Sequence, residues 1–260
     1  MLTIKDSVAV ITGGASGIGL AVAEYWTQNG GKVVLGDVAE EALEKAGQKI
    51  KGDVATVLCN VTDEADCAKL ADTAIERFGA LNLVAPFAGI IKDGLMVNIN
   101  REGKVAGKMA LDDFQKVIDI NLTGVFLTVR ECAERMINHQ CKGLICLVSS
   151  TGSLGTAGQI NYTSTKAAMS AIPKVLTAEF FRRNAADRIR CLAIAPGYVG
   201  TPMVKSMPQK IRDKIIEQVP IGRLIEPEEV AAFIGELYRN EALAGDVYYI
   251  HGGLRLGSKG

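Results

Sequence analysis

Tyr162 and Lys166 stand one helical turn apart in Tyr162-Thr163-Ser164-Thr165-Lys166, near the start of a long stretch of helical period. An i, i+4 spacing puts both side chains on one helix face, where they could share a proton. A phenol titrates near pH ~10 and serves as a base at neutral pH only with positive charge beside it, which Lys166 would provide. Lowering a phenol by two to three pH units represents roughly 3 to 4 kcal/mol of preference for the phenolate. Upstream, Val148-Ser149-Ser150 ends a strand-like run, and a short loop with Gly152, Gly155 and Gly158 leads back to Tyr162. Ser149 is expected to donate a hydrogen bond to a substrate oxygen, the role that favours a developing alkoxide.

These side chains need a frame that brings distant segments to one edge. Short β-branched runs at Ser7 to Thr12, Lys32 to Asp37, Val54 to Cys59, Leu81 to Pro86, Gly143 to Ser149, Arg188 to Ala195 and Asp246 to Ile250 read as strands, with helical stretches filling most gaps. Strands separated by helices imply right-handed crossovers and a parallel sheet covered on both faces. The expected fold is α/β: a single-domain, Rossmann-like three-layer α/β/α sandwich over residues 1–260, with a doubly wound sheet of about seven parallel strands. No linker divides the chain and no internal repeat is visible.

Directly after the first strand comes Thr12-Gly13-Gly14-Ala15-Ser16-Gly17-Ile18-Gly19, then a helical run from Leu20 to Asn29. Glycines let a backbone turn sharply and approach a pyrophosphate, and the helix start offers free N–H groups and a partial positive charge. Asp37 closes the second strand, near the roughly 20-residue offset of a ribose contact. A 2′-phosphate there would face a like charge, and Ser16 supplies no cation, so the cofactor is expected to be NAD. An oxidised nicotinamide ring would add its charge to that of Lys166 beside the phenol.

The glycine turn, Asn121 in Asn-Leu-Thr-Gly, Ser149, the Tyr162/Lys166 pair and Pro196-Gly197 together resemble the short-chain dehydrogenase/reductase family, over nearly the whole chain and in the family's order. The resemblance is nearest to the bacterial 3-oxoacyl reductases of that family. It implies a catalytic set of Asn121, Ser149, Tyr162 and Lys166, with Asn121 holding a water that connects Lys166 to solvent. Ser149 is preferred because it stands thirteen residues before Tyr162, and Ser150 is the alternative. The cofactor contacts it implies are Gly13, Ser16, Gly17, Ile18, Gly19 and Asp37, then Asn60 and Val61 at the adenine and Ala88 and Gly89 along the cofactor. Gly197, Val199 and Thr201 would hold the carboxamide and phosphate, Lys166 would bond the nicotinamide ribose, and Pro196 and Tyr162 complete the cofactor contacts. A homotetramer is implied too, joined by apolar positions in the helical stretches Asp112 to Asn138 and Tyr162 to Arg183.

Several features depart from the family pattern. Phe87-Ala88-Gly89 replaces the usual Asn-Ala-Gly, and His251 replaces an acid before the final Gly-Gly. Pro173 is expected to kink its helix. Residues 98–107 form a polar insertion expected to be a hairpin. The segment 198–220, with Met203, Val204 and Met207, is expected to be a substrate lid favouring an apolar or acyl substrate.

Charge and cysteine content narrow the rest. With 29 basic and 29 acidic residues the chain lacks the excess that binds nucleic acid or anionic membranes. The expected partner is a small alcohol, ketone or acyl thioester; Lys142, Arg182 and Arg183 could meet an acyl carrier protein but are read as solvated charge. Six cysteines without a C-x-x-C pair and two histidines give no metal spacing, so no metal is expected. Free thiols and the lack of a signal-like or membrane-length segment lead to a cytoplasmic expectation. The expected activity is therefore NAD(H)-dependent interconversion of a secondary alcohol and a ketone, of 3-oxoacyl/3-hydroxyacyl type, with a catabolic secondary- or cyclic-alcohol dehydrogenase as the alternative. A non-catalytic NAD-binding sensor is disfavoured by the intact acid/base set.

Overall fold

Alternating β-branched runs and amphipathic helices assemble, in the computed structural model, into one seven-stranded parallel sheet with helices on both faces. The structure describes residues 1–254, and of Met203 the backbone only. The first half runs β1 (Val8–Thr12), α1 (Gly17–Gln28), β2 (Lys32–Asp37), α2 (Glu40–Lys49), β3 (Val54–Leu58), α3 (Glu64–Phe78) and β4 (Leu83–Pro86). A small antiparallel pair follows, β5 (Val97–Ile99) and β6 (Val105–Lys108), then α4 (Leu111–Ile118) and α5 (Gly124–Asn138). The second half runs β7 (Gly143–Val148), α6 (Ile160–Arg182), β8 (Ile189–Pro196), α7 (Pro202–Lys205), α8 (Gln209–Ile216), α9 (Pro227–Arg239) and β9 (Val247–Ile250).

The sheet order is β3-β2-β1-β4-β7-β8-β9. The chain winds outward one way from β1, then crosses to β4 and winds out the other way. Ligands of such sheets sit where the direction reverses, beyond the carboxyl ends of the strands. Successive strand residues face opposite layers. In β1, Ala9 and Ile11 join the core under α1 and α9, where Trp26 meets Tyr238 edge-on at 4.8 Å. Val8 and Val10 join the core under α3, α5 and α6. Both layers are apolar, which is why these strands read as continuous hydrophobic runs.

One strand begins later than expected because a side chain takes backbone partners. The run from Leu81 becomes a strand only at Leu83, because the Asn82 amide accepts from Val8 N–H at 2.9 Å and donates to Lys142 O at 2.8 Å. The stretch from 112 to 138 is not one helix: a π-helical turn, Asp119–Thr123, separates α4 from α5 and carries Asn121. Such turns in helical runs mark functional sites often. Helix α6 continues through Pro173 as one 23-residue element. Of the three basic residues set aside as surface charge, Lys142 pairs with Glu241.

The insertion is a hairpin in which Val97 pairs with Lys108, Asn98 with Gly107 and Ile99 with Val105. At its tip the Asn100 side chain accepts from Glu102 and Lys104 N–H at 3.0 and 2.9 Å. All six cysteines are free and buried, and among the described residues no helix is long and apolar enough to cross a membrane.

Candidate active site

The turn after β1 is shaped by what a side chain would strike. A Cβ on Gly13, whose φ is +65°, would lie 2.8 Å from Ala88 N, and one on Gly19 would lie 2.3 Å from Gly13 O. The turn thus packs against the end of β4 on one side and the start of α1 on the other. Ser16 stands at the N-cap of α1 with no side-chain cap bond, and the first turn holds no acid. Its N–H groups are available to an anion. Asp37 is tied to the same turn: its Oδ2 accepts from Ala15 N–H at 3.1 Å and its Oδ1 from Ala39 N–H at 3.1 Å.

A cleft of about 590 Å³ opens here, lined by Gly13, Ser16 to Gly19, Asp37, Asn60, Val61, Ala88 and Gly89. It continues past Asn121, Tyr162 and Lys166 to Pro196, Gly197, Val199 and Thr201. Asp37 and Lys166 are the only charged residues on its walls among the described residues. A cleft that gathers a glycine turn, a helix start, a carboxylate and hydroxyl groups fits a dinucleotide. Where the family's asparagine is missing, Thr12 makes the local tie: its hydroxyl accepts from Ala88 N–H at 3.3 Å, while Phe87 packs against the core. His251 is used structurally, its Nδ1 accepting from Gly253 N–H at 3.1 Å while its backbone backs Gly197.

Helix α6 is pinned so that Tyr162 faces this cleft. Buried Asn161 donates to Lys92 O at 2.9 Å and accepts from Tyr162 N–H at 2.7 Å, fastening the first turn to the segment after β4. Thr163 Oγ1 donates to Gly152 O at 3.0 Å and fastens the glycine loop. Neither residue was singled out in sequence, because nothing in its type or spacing separates a pinning Asn or Thr from a solvent-facing one.

Ser149 is the expectation that the structure corrects. Although the residue borders the cleft, its hydroxyl is engaged with α6, donating to Lys166 O at 2.7 Å and lying 2.8 Å from Ser170 Oγ. The hydroxyl beside the phenol is that of Ser150. A methyl built on Gly152 would lie 3.4 Å from Ser150 Oγ and 3.4 Å from Tyr162 Cε1, so both groups border one small space. Strand alternation explains the swap: beyond Val148 one serine turns to α6 and the next to the cleft. Counting back thirteen residues misses this, because the register of the strand end, not the loop length, decides which hydroxyl faces Tyr162.

Charge relations differ from expectation too. Lys166 Nζ donates to Val148 O at 2.8 Å and lies 5.6 Å from the Tyr162 ring centre. Burial pushes this ammonium down to about 8. Tyr162 is pushed up by burial; the Ser150 hydroxyl draws it back, and the Asp93 carboxylate pushes it further up. Within the protein alone the phenol is therefore held as an acid, and Lys166 does not offset its burial. Asn121, fully buried, accepts from Ile90 N–H at 2.8 Å and donates to Ile90 O at 2.9 Å. That side-chain amide serves the strand end, which leaves any contact with a water to its second lone pair or to the backbone.

The segment 198–220, expected as a lid, carries α7 and α8, with Val204 on the cleft wall. The expectation for the Met203 side chain lies outside what the structure describes. Gly17 meets Thr201, a Cβ there lying 3.4 Å from Thr201 Cγ2, so this segment starts against the glycine turn.

Comparison with known proteins agrees with this geometry. The enoyl-(acyl carrier protein) reductase family model matches residues 13–255. A 3-oxoacyl-[acyl-carrier-protein] reductase of Thermotoga maritima is 33% identical over 258 residues, 97% of this chain and 99% of the relative. The 3-hydroxyacyl-CoA dehydrogenase type-2 of Drosophila melanogaster is 34% identical over 260 residues, 97% and 99% of the two chains. A short-chain dehydrogenase/reductase from Serratia marcescens superposes with a TM-score of 0.83 at 24% identity, over 97% of this chain and 99% of that one, which speaks to the fold alone. With matches running the length of both chains, this protein belongs to the short-chain dehydrogenase/reductase family of oxidoreductases acting on CH–OH groups.

Proposed function

We propose that this protein interconverts a secondary alcohol and a ketone with NAD(H), and that its substrate is a 3-oxoacyl/3-hydroxyacyl thioester. The observation that carries the reading is that the Ser150 hydroxyl and the edge of the Tyr162 ring border one small space in the cleft, with Lys166 one turn behind. The nicotinamide, when bound, supplies or accepts the hydride. In reduction, Ser150 donates a hydrogen bond to the substrate carbonyl oxygen and Tyr162 gives that oxygen its proton. Lys166, held at Val148 O, stands next in line to return a proton to the phenolate. Oxidation of the alcohol runs the same steps backwards, Tyr162 taking the proton. Positioned proton transfer of this kind contributes about 10² to 10⁴ in rate.

NAD is favoured over NADP because Asp37, tied to the glycine turn, is a carboxylate, and the cleft walls among the described residues offer no cation but Lys166. The acyl substrate is favoured by the names of the two relatives, which place both at the 3-position of an acyl chain. A homotetramer is supported by exposed Phe126 on α5 and by Val175 and Phe181 on α6. A reducing, cytoplasmic setting is supported by the six free thiols.

The test is a dehydrogenase assay with NAD(H) against 3-oxoacyl thioesters, cyclic ketones and secondary alcohols, on wild type and Tyr162→Phe. Turnover of the thioesters, lost by at least 10²-fold in the variant with NAD still bound, is the expected result. Near-wild-type activity in Tyr162→Phe overturns the mechanism, and turnover confined to cyclic or simple alcohols overturns the substrate. Cofactor binding without turnover on any of them points to a sensor. Light scattering showing a stable monomer overturns the tetramer.

A further inference from the structure

Asp93 stands outside the catalytic set, on the segment that leaves β4 and rises into the hairpin. Both of its carboxylate oxygens accept from Gln159 Nε2, each at 3.1 Å. Beside this contact Gly94 N–H donates to Gly158 O at 2.8 Å, so the two segments are joined by backbone as well. Gln159 lines the cleft three residues before Tyr162. The two ends of a glutamine side chain have nearly the same shape, and only its partner decides which way it lies. A carboxylate accepts and does not donate, so Nε2 must face Asp93 and Oε1 must point inward. The methyl imagined on Gly152, bordered by Ser150 Oγ and Tyr162 Cε1, would also lie 3.6 Å from Gln159 Oε1.

We infer that Asp93 is a positioning residue of this site: it fixes the Gln159 amide so that a carbonyl, and not an NH₂ group, stands beside the Ser150 and Tyr162 hydroxyls. The consequence concerns the orientation of the substrate. A substrate carbonyl oxygen is repelled by Gln159 Oε1 and finds donors only at Ser150 and Tyr162. With the amide reversed, its NH₂ would compete for that oxygen and bind the substrate unproductively. The inference rests on the proposed reaction. Lys92, next in sequence, does not compensate Asp93 directly, because its ammonium lies 3.5 Å from Asp113.

The test compares Asp93→Ala, Asp93→Asn, Gln159→Met and Asp93→Ala/Gln159→Met, each checked for cofactor binding and thermal midpoint. Asp93→Ala should lower kcat about three- to tenfold, the range one modest hydrogen bond sustains, without raising KM. In Asp93→Asn the new side-chain amide can still accept through its Oδ1, so this variant should restore most of that loss. In the Gln159→Met background, which has no NH₂ to reverse, Asp93→Ala should change kcat less than twofold. A KM increase at unchanged kcat in Asp93→Ala, equal losses in the Ala and Asn variants, or additive losses in the double variant would overturn the inference. The orientation is also read without turnover, from the Gln159 side-chain NH₂ signal in ¹⁵N NMR, assigned by its loss in Gln159→Met. That signal should shift between wild type and Asp93→Ala and return most of the way in Asp93→Asn; an unchanged signal in Asp93→Ala overturns the clamp even if no substrate is turned over.

Discussion

Exchanging the two adjacent serines for alanine separates the site's geometry from a count along the chain. Ser150→Ala removes the hydroxyl that borders the same space as the phenol. A preorganised donor of this kind is worth roughly 10² to 10³ in kcat, or about 3 to 4 kcal/mol of transition-state stabilisation. Ser150 Oγ also accepts from Gly152 N–H at 3.0 Å, so some loosening of the glycine loop should accompany the loss. Ser149→Ala removes a buried hydroxyl bonded at 2.7 Å to Lys166 O. Ser170 Oγ already donates to that carbonyl at 3.2 Å and can take over, so the cost should stay near 1 kcal/mol. For a chain of this size that lowers the melting midpoint by about 2 to 4 °C. The assay is steady-state kcat and KM for a 3-oxoacyl thioester, with a thermal melt of each variant. Ser149→Ala should keep kcat within a few-fold of wild type, and Ser150→Ala should melt close to wild type yet turn over at least a hundredfold more slowly. A catalytic collapse in Ser149→Ala with Ser150→Ala intact would refute the reading of the strand end.

Three further outcomes follow from the same structure. Asp37→Ala should weaken NAD by about ten- to a hundredfold, the range of one or two hydrogen bonds to a charged group, while leaving NADP less affected; equal use of both cofactors by wild type would contradict it. Lys166 is held at about 8, below its ordinary 10.5, so below pH 8 both states carry the charge and the native state bears the full burial cost; wild-type stability should then rise with pH between 8 and 10.5. The gap corresponds to about 3 kcal/mol. Urea titrations of Lys166→Met should show a stability advantage at pH 7 that shrinks by up to that amount towards pH 10.5, and a pH-independent difference would count against it. Arg190, buried in β8, donates to Leu237 O, Tyr238 O, Asn240 O and Leu243 O at 3.2, 2.7, 3.0 and 2.7 Å. Arg190→Met should cost about 2 to 4 kcal/mol in urea unfolding by freeing the carboxyl end of α9, with kcat of the folded fraction unchanged; an unaltered midpoint would dismiss this cap.

Periodicity located all seven sheet strands, because a strand buried on both faces leaves an apolar run that helices interrupt. Strand ends were less legible: whether Leu81 or Leu83 begins β4 depends on the Asn82 side chain reaching Val8 and Lys142, contacts across 74 and 60 residues. The glycine turn was legible because its conformation is demanded locally. Gly13 has positive φ and faces Ala88 backbone, so sequence and geometry state one constraint. Ser149 against Ser150 was not legible, since either hydroxyl suits the chemistry and only the alternation beyond the end of β7 tells them apart. Asn121 shows a third situation: its position was readable, but its amide is engaged with Ile90 in a π-helical turn that propensity does not forecast.

The direction in which burial moves the two central groups bears on how one site can serve both reaction directions. Tyr162 is raised and Lys166 is lowered, so their proton affinities move oppositely from their ordinary values. A phenol held protonated is ready to act as an acid, the form that carbonyl reduction requires. It becomes a base only when positive charge enters the cleft, the condition under which alcohol oxidation begins. Lys166, near 8 and bonded to a backbone carbonyl, has no carboxylate fixing its proton, and it can lose or regain one near physiological pH without rearranging the strand end. In the proposed reaction the acid/base state of Tyr162 thus follows the charge of what occupies the cleft, with Lys166 returning a proton to the phenolate after reduction and taking one from the phenol after oxidation.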